Sequence, residues 1–221
     1  MRDDGEDMKM FAALGEVVYK ISRTELIKKG WLANAEVIYL KPKFKTDGKY
    51  KDYQTVYKTE IVENGDRNER IIETALKEWQ RGRKILILVS HIDHGQKLFD
   101  DIQLLNLYNP SPKLIFMHGL SKDRDQDMGV YDIIIATSIY DEGMDLPALD
   151  VLILGSAGSS LIKLTQRIGR VLRLKPDGRS ARIYDFIDTP KYIRRHYLVR
   201  RNILEKEFKI TEQDDIQTHL L

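Results

Sequence analysis

The run Gln166-Arg167-Ile168-Gly169-Arg170-Val171-Leu172-Arg173 is where this sequence first suggests chemistry. Wound at about 100° per residue, Leu161, Leu164, Ile168 and Leu172 share one stripe, and Gln166, Arg170 and Arg173 cluster on the opposite side. An apolar stripe turns toward the protein's own core, so the two guanidiniums and the amide face outward. A guanidinium is planar, permanently charged and able to hold phosphate oxygens in bidentate fashion, so such a face suits a polyanion. A solvated helix face explains the same pattern about as well when these residues are taken alone. Gly169 adds room for a close approach, at a cost of up to about 1 kcal/mol in helix propensity.

The elements that must position such a face are legible around it. Ile85–Val89, Leu114–Phe116, Ile133–Ala136, Val151–Leu154 and Ile183–Phe186 are short apolar runs of the kind that central parallel strands, covered on both sides, require. Helix-compatible segments separate them at 93–105, 122–128 and 160–173, which predicts a doubly wound parallel sheet with helices on both faces. Upstream, Val17–Tyr19 and Glu36–Leu40 read as strands, and Arg23–Lys29 as a short helix capped by Ser22. The stretch 41–57 reads as a polar connection, and Asn68–Arg81 as a helix. A basic helix is expected from Lys191 to Lys206. The chain thereby divides into 1–65 as an N-terminal extension or linker, 66–190 as the main domain and 191–221 as a helical tail.

In open parallel sheets, ligands bind beyond the carboxyl ends of the strands. Ser90, Gly119 and Thr137 occupy such ends, although a Ser or Thr after a strand is often no more than a helix cap.

These segments together resemble the C-terminal motor domain of superfamily 2 helicases. Gln166–Arg173 is similar to motif VI, Ala136–Pro147 to motif V, Ile87–His91 to motif IV, and Met117–Leu120 with Arg124 to the segment between them. The four lie in the family's order over residues 84 to 173. The resemblance implies a RecA-like fold and a share in an ATP site. Arg170 and Arg173 then correspond to arginine fingers, Gln166 to the residue that senses the γ-phosphate, and Gly143 and Asp145 to residues near the nucleotide. Arg167 and Arg124 take structural roles in their motifs, and Ser90, Gly119 and Thr137 contact nucleic-acid phosphates. Asp141-Glu142-Gly143-Met144 begins like an acidic metal-binding tetrad, but it comes after the motif V strand, so no metal ligands are assigned to it.

The sequence contains no Gly-x-x-x-x-Gly-Lys-Ser/Thr, so no loop of this chain cradles phosphates. The resemblance therefore implies half a motor. ATP would be shared with an N-terminal RecA-like helicase domain, Mg²⁺ would be held only by that domain, and the isolated chain would be inactive. Arg2-Asp3-Asp4-Gly5 resembles the residues just after motif III in some members, and 13–32 resembles the interdomain linker of phage-type and restriction-type members. DNA is favoured over RNA as the partner. The alternative is a stand-alone nucleic-acid- or protein-binding module of Rossmann-like shape that hydrolyses nothing.

Composition narrows the remaining classes. The 221 residues carry a net charge of only +2, so a case for nucleic acid must be local. It is strongest between Lys163 and Arg201, where twelve Lys and Arg face three Asp and Glu. The tail contributes Lys191, Arg194, Arg195, Arg200 and Arg201 to that count. There is no cysteine, which removes disulfides and thiolate metal sites. No apolar stretch approaches the roughly 20 residues of a membrane span, and the expectation is a cytoplasmic protein. The five histidines, 91, 94, 118, 196 and 219, lack the partners of a metal site.

Overall fold

A computed structural model describes residues 12, 15, 18–19, 21–41, 50–105, 111–121, 127–137, 149–156, 158 and 178–213. Among them the strands are β1 (Ala35–Leu40), β2 (Ile85–Val89), β3 (Leu114–Met117), β4 (Ile133–Thr137), β5 (Val151–Leu154), β6 (Ala181–Phe186) and β7 (Lys209–Gln213). They form one sheet in the order β3-β4-β2-β5-β6-β1-β7, and every pairing is parallel. All five strands expected downstream of residue 84 are present, and β1 coincides with the strand expected at Glu36–Leu40.

Alternation along each strand sends side chains to two cores. One face collects Ile85, Ile87, Val89, Ile133, Ile135, Val151, Ile153 and Phe186 under α3 (Gly65–Gln80) and α4 (Ile92–Leu104). The other collects Val37, Tyr39, Leu86, Leu88, Ile134, Leu152 and Ile183 against Tyr197 and Leu204 of α5 (Lys191–Glu207). Strands buried on both faces must be apolar throughout, and that is why their runs are continuous. On α4, Gly95 lies where a Cβ would stand 2.3 Å from the Phe116 ring, so the helix rides close on β3 only because that side chain is absent.

Three sequence expectations change. Val18 and Tyr19 lie in neither helix nor strand and are strongly exposed, with no described strand beside them. The end of the polar connection forms a helix, α2 (Tyr53–Tyr57), which continues as a π-helical turn over Lys58–Val62. Its Val56, Tyr57, Ile61 and Val62 make a small third core with Ile193 of α5. The polar segment after the tail helix supplies β7, which pairs with β1. By contrast, α1 (Arg23–Lys28) starts as expected, with Ser22 Oγ accepting from the Glu25 N–H at 3.1 Å.

Candidate functional site

The chain runs from β2 outward to β3 and β4, then crosses back to β5 and β6 on the other side of β2. In open parallel sheets such a reversal of direction marks the carboxyl ends of the strands on either side of it, here β2 and β5, as the place where ligands bind. Gly155 closes β5 at that point. A Cβ there would stand 3.0 Å from the Leu88 carbonyl oxygen, and the Ser156 N–H donates to the same oxygen at 3.1 Å.

Ser90, Gly119 and Thr137 come together on this rim. Val89 pairs with Thr137 across β2 and β4, and Met117 pairs with Ala136 across β3 and β4, so Ser90 and Gly119 flank Thr137 one step beyond its level. Ser90 is half-buried. Gly119 sits in a tight turn in which the Ser121 N–H donates to the His118 carbonyl at 2.9 Å and the His118 N–H to Ser121 Oγ at 3.0 Å. Thr137 is buried, and among the described residues its hydroxyl has no hydrogen-bond partner. Gln166, Arg167, Arg170, Arg173, Gly143, Asp145 and Arg124 lie outside the described residues.

Beneath the rim is a buried ionic network that sequence reasoning did not find. Arg67, on the first turn of α3, donates from Nη1 to Asp188 at 2.7 Å and from Nε to the Gly155 carbonyl at 3.2 Å, with its guanidinium 4.1 Å from the Phe186 ring centre. Arg200 of α5 donates to both oxygens of Asp185 at 2.9 Å, to Asp188 at 3.0 Å and to the Gly158 carbonyl at 3.1 Å. Burial pulls the Arg200 guanidinium down, but Asp185 and Asp188 outweigh it and hold it above its ordinary range. Burial pushes the Asp185 carboxyl up. Its direct, two-pronged contact with a permanent cation makes the charged pair the better description of both groups. Two guanidiniums sharing one aspartate therefore grip the loop after β5 by its carbonyls at 155 and 158. That loop leads, in sequence, to Gln166–Arg173.

This geometry corrects the reading of the tail. Arg200 lies on the inward stripe of α5 with Ile193, Tyr197 and Leu204, and is consumed by internal pairs. Arg201 donates to Glu205 at 2.6 Å and to the Tyr197 hydroxyl at 2.7 Å. The exposed basic residues of the helix are Lys191, Arg194, Arg195 and Lys206. The available sequence signal was a charge inside a strand, Asp185 within β6, since a buried carboxylate demands a cation.

His94 is fully buried on α4, and its Nε2 lies 2.9 Å from Asn68 Oδ1. Asn68 in turn donates to the Val62 carbonyl at 2.9 Å, which leaves its Oδ1 as an acceptor and makes Nε2 of His94 the protonated nitrogen. Burial, reinforced by the Arg67 charge, lowers this imidazole to about 3. At the N-terminal ends of the strands, buried Glu78 gathers Arg81, Arg83 and Arg182 together with the Tyr184 hydroxyl. That cluster ties α3 to β6 far from the rim.

Comparison with known proteins identifies the domain in which the rim lies. Residues 66–175 match the model of the "Helicase conserved C-terminal domain". The chain is 25% identical over 224 residues to "Putative helicase 22" of a Sulfolobus islandicus filamentous virus, covering 94% of this chain and 40% of that protein. It is 25% identical over 227 residues to "ATP-dependent DNA helicase uvsW" of Enterobacteria phage T4, covering 92% of this chain and 44% of that one. The crystal structure of T4 UvsW superposes with a TM-score of 0.61 at 24% identity over 81% of this chain and 41% of that one. A fragment of a putative HsdR subunit of a type I restriction enzyme from Vibrio vulnificus superposes with a TM-score of 0.69 at 17% identity, covering 96% of this chain and 42% of that one. The chain thus spans less than half the length of these relatives. Among the described residues, no helix is long and apolar enough to cross a membrane. With its seven-stranded parallel RecA-like sheet and its match over residues 66–175, this chain belongs with the proteins that carry the helicase conserved C-terminal domain.

Proposed function

We propose that this chain is the second motor domain of an ATP-dependent DNA helicase or translocase. In this reading Arg170 and Arg173 offset charge on a transferring phosphoryl group bound by a first domain, while Ser90, Gly119 and Thr137 hold nucleic-acid phosphates. The observation that carries the reading is the rim: inside a region matching the helicase C-terminal domain, three small or hydroxylated residues stand at the ends of the adjacent strands β3, β4 and β2 within one step of each other. The buried hydroxyl of Thr137, without a hydrogen-bond partner among the described residues, supports it, because an unsatisfied buried hydroxyl costs about 1–3 kcal/mol unless a ligand completes it.

Two guanidiniums and an amide, with no phosphate-cradling loop, form a donor set that fits contact with phosphate oxygens but not retention of a nucleotide unaided. When bound, ATP supplies the free energy of its hydrolysis; Mg²⁺ belongs to the first domain's side of the site. In the same reading Gln166 senses the terminal phosphate, and Gly143 and Asp145 belong to the nucleotide's contacts. Arg167 and Arg124 brace their own segments. DNA is the preferred partner because the T4 relative is named a DNA helicase.

The test restores a P-loop-bearing first domain and compares Arg170→Ala with the parent. Hydrolysis should fall by roughly 10³-fold or more while nucleotide affinity is kept. Steady ATP turnover by the 221-residue chain alone, or equal loss of binding and hydrolysis in Arg170→Ala, would refute the assignment.

A further inference from the structure

Four aromatic rings cross the carboxyl edge of the sheet from the end of β2 to the tail helix. His91 stacks on Tyr57 with ring centres 4.8 Å apart and planes at 29°. Tyr57 meets Tyr53 at 5.8 Å, and Tyr53 meets His196 of α5 at 5.4 Å. Tyr57 is buried, while His91 is exposed and Tyr53 is 38% exposed.

His91 occupies the N-cap of α4, yet its side chain makes no capping hydrogen bond. Ser, Thr, Asp and Asn are favoured there because their oxygens accept from the first free N–H groups. A histidine forgoes that stabilisation and puts an aromatic ring in its place. One face of the ring is fixed by buried Tyr57, and the residue as a whole is exposed. The neighbouring position is Ser90, one of the three rim residues. Lys191, Arg194 and Arg195 stand exposed on the same helix that carries His196, so the field over this edge favours a polyanion.

We propose that His91, braced by Tyr57 and flanked by Tyr53, is a stacking platform for an unpaired base of a nucleic-acid strand whose backbone passes Ser90. The proposal rests on the nucleic-acid reading of the rim and adds to it a ligand form, single-stranded with splayed bases. Phosphates need only charge and hydrogen-bond donors. A rigid, half-open aromatic face at a cap position has value for a π-surface, and every base offers one. A paired base inside a duplex does not.

The test compares binding of the 221-residue chain to a labelled short oligodeoxyadenylate and to an abasic strand of equal length, which keeps the phosphates and lacks the bases. His91→Ser should weaken the oligodeoxyadenylate roughly tenfold, by about the same factor at low and moderate salt, and leave the abasic strand within about twofold. Its thermal midpoint should stay level or rise, because serine restores the cap. His91→Phe should retain the affinity. Equal weakening on both strands, no weakening in His91→Ser, or loss in His91→Phe as large as in His91→Ser would overturn the platform while leaving the phosphate contacts standing. Absence of binding to either strand at low salt would overturn the platform and the nucleic-acid reading together.

Discussion

Asp188 is the residue whose replacement most directly tests how the rim is held. Its two oxygens serve two cations, Arg67 at 2.7 Å and Arg200 at 3.0 Å, and all three side chains are at most 6% exposed. With Asp185 the group is two guanidiniums and two carboxylates, electrically balanced and shielded from solvent. Asp188→Asn keeps the volume but leaves one net positive charge buried, and it turns an amide N–H₂ toward one of the guanidiniums. Arg200 retains both bonds to Asp185, so the burden falls on Arg67, whose remaining bond is to the Gly155 carbonyl. Removing one partner of a buried pair costs about 3–5 kcal/mol, a fifth or more of the roughly 5–15 kcal/mol that stabilises an ordinary domain. Urea denaturation followed by far-ultraviolet circular dichroism should show that loss as a lower midpoint at an unchanged slope. Adding Arg67→Met should recover part of it, because the orphaned charge leaves with the arginine, and the double-mutant cycle should give a coupling of about 1–3 kcal/mol. Amide exchange should quicken over 155–158 in Asp188→Asn. A loss below about 1 kcal/mol, or strict additivity with Arg67→Met, would refute the view that these charges act as one buried unit.

His94 gives the fold a pH dependence with a definite sign. Its folded value of about 3 lies below the unfolded value near 6.5, so its contribution is complete above about pH 6.5 and is lost progressively as pH falls toward 3. The slope is at most about 1.4 kcal/mol per pH unit for one proton; urea titrations at pH 7, 6 and 5 should show a decline that His94→Gln flattens, and an identical decline in the variant would exclude His94 as the source. Gly95→Ala should destabilise by about 1 kcal/mol, since the gain of up to about 1 kcal/mol in helix propensity is outweighed by a Cβ placed 2.3 Å from Phe116. Pairing it with Phe116→Leu should restore stability to the parent level or above, and a stabilised Gly95→Ala single variant would show that the ring yields freely.

The five central strands were readable because each is buried on both faces and has no choice but to be apolar. The helix over 53–62 was hidden for a matching reason. Its apolar pairs, Val56-Tyr57 and Ile61-Val62, stand five residues apart, a spacing foreign to a 3.6-residue period but natural to a π-helical turn that brings both pairs to one core. β7 alternates Lys209, Thr211 and Gln213 with Ile210 and Glu212 at the edge of the sheet, and of these Ile210 packs on the core beside the preceding Phe208, so no apolar periodicity announces it. On α5 the helix was legible but its orientation was misjudged. A count of Lys and Arg does not separate one face from another, whereas Ile193, Tyr197, Arg200 and Leu204 fall on one helical stripe and place Arg200 inside.

The same distinction separates the rim from its supports. Strand ends are local, so Ser90, Gly119 and Thr137 emerge from strand assignment and a general rule about parallel sheets. The ionic network is not local: Arg67 and Asp188 are 121 positions apart, and Arg67 and Gly155 are 88 apart. Neither distance leaves a trace in periodicity. Three of its members, Asp185, Asp188 and Arg200, also lie beyond residue 175, outside the span that matches the helicase C-terminal domain. The carbonyls at 155 and 158, which open the path to Gln166–Arg173, are thus gripped partly from the tail helix. A substitution on α5 can therefore alter how the start of the loop after β5 is held. The tail accordingly acts as a support of the rim, and its charge must be divided between residues that hold the protein together and those left to meet a ligand.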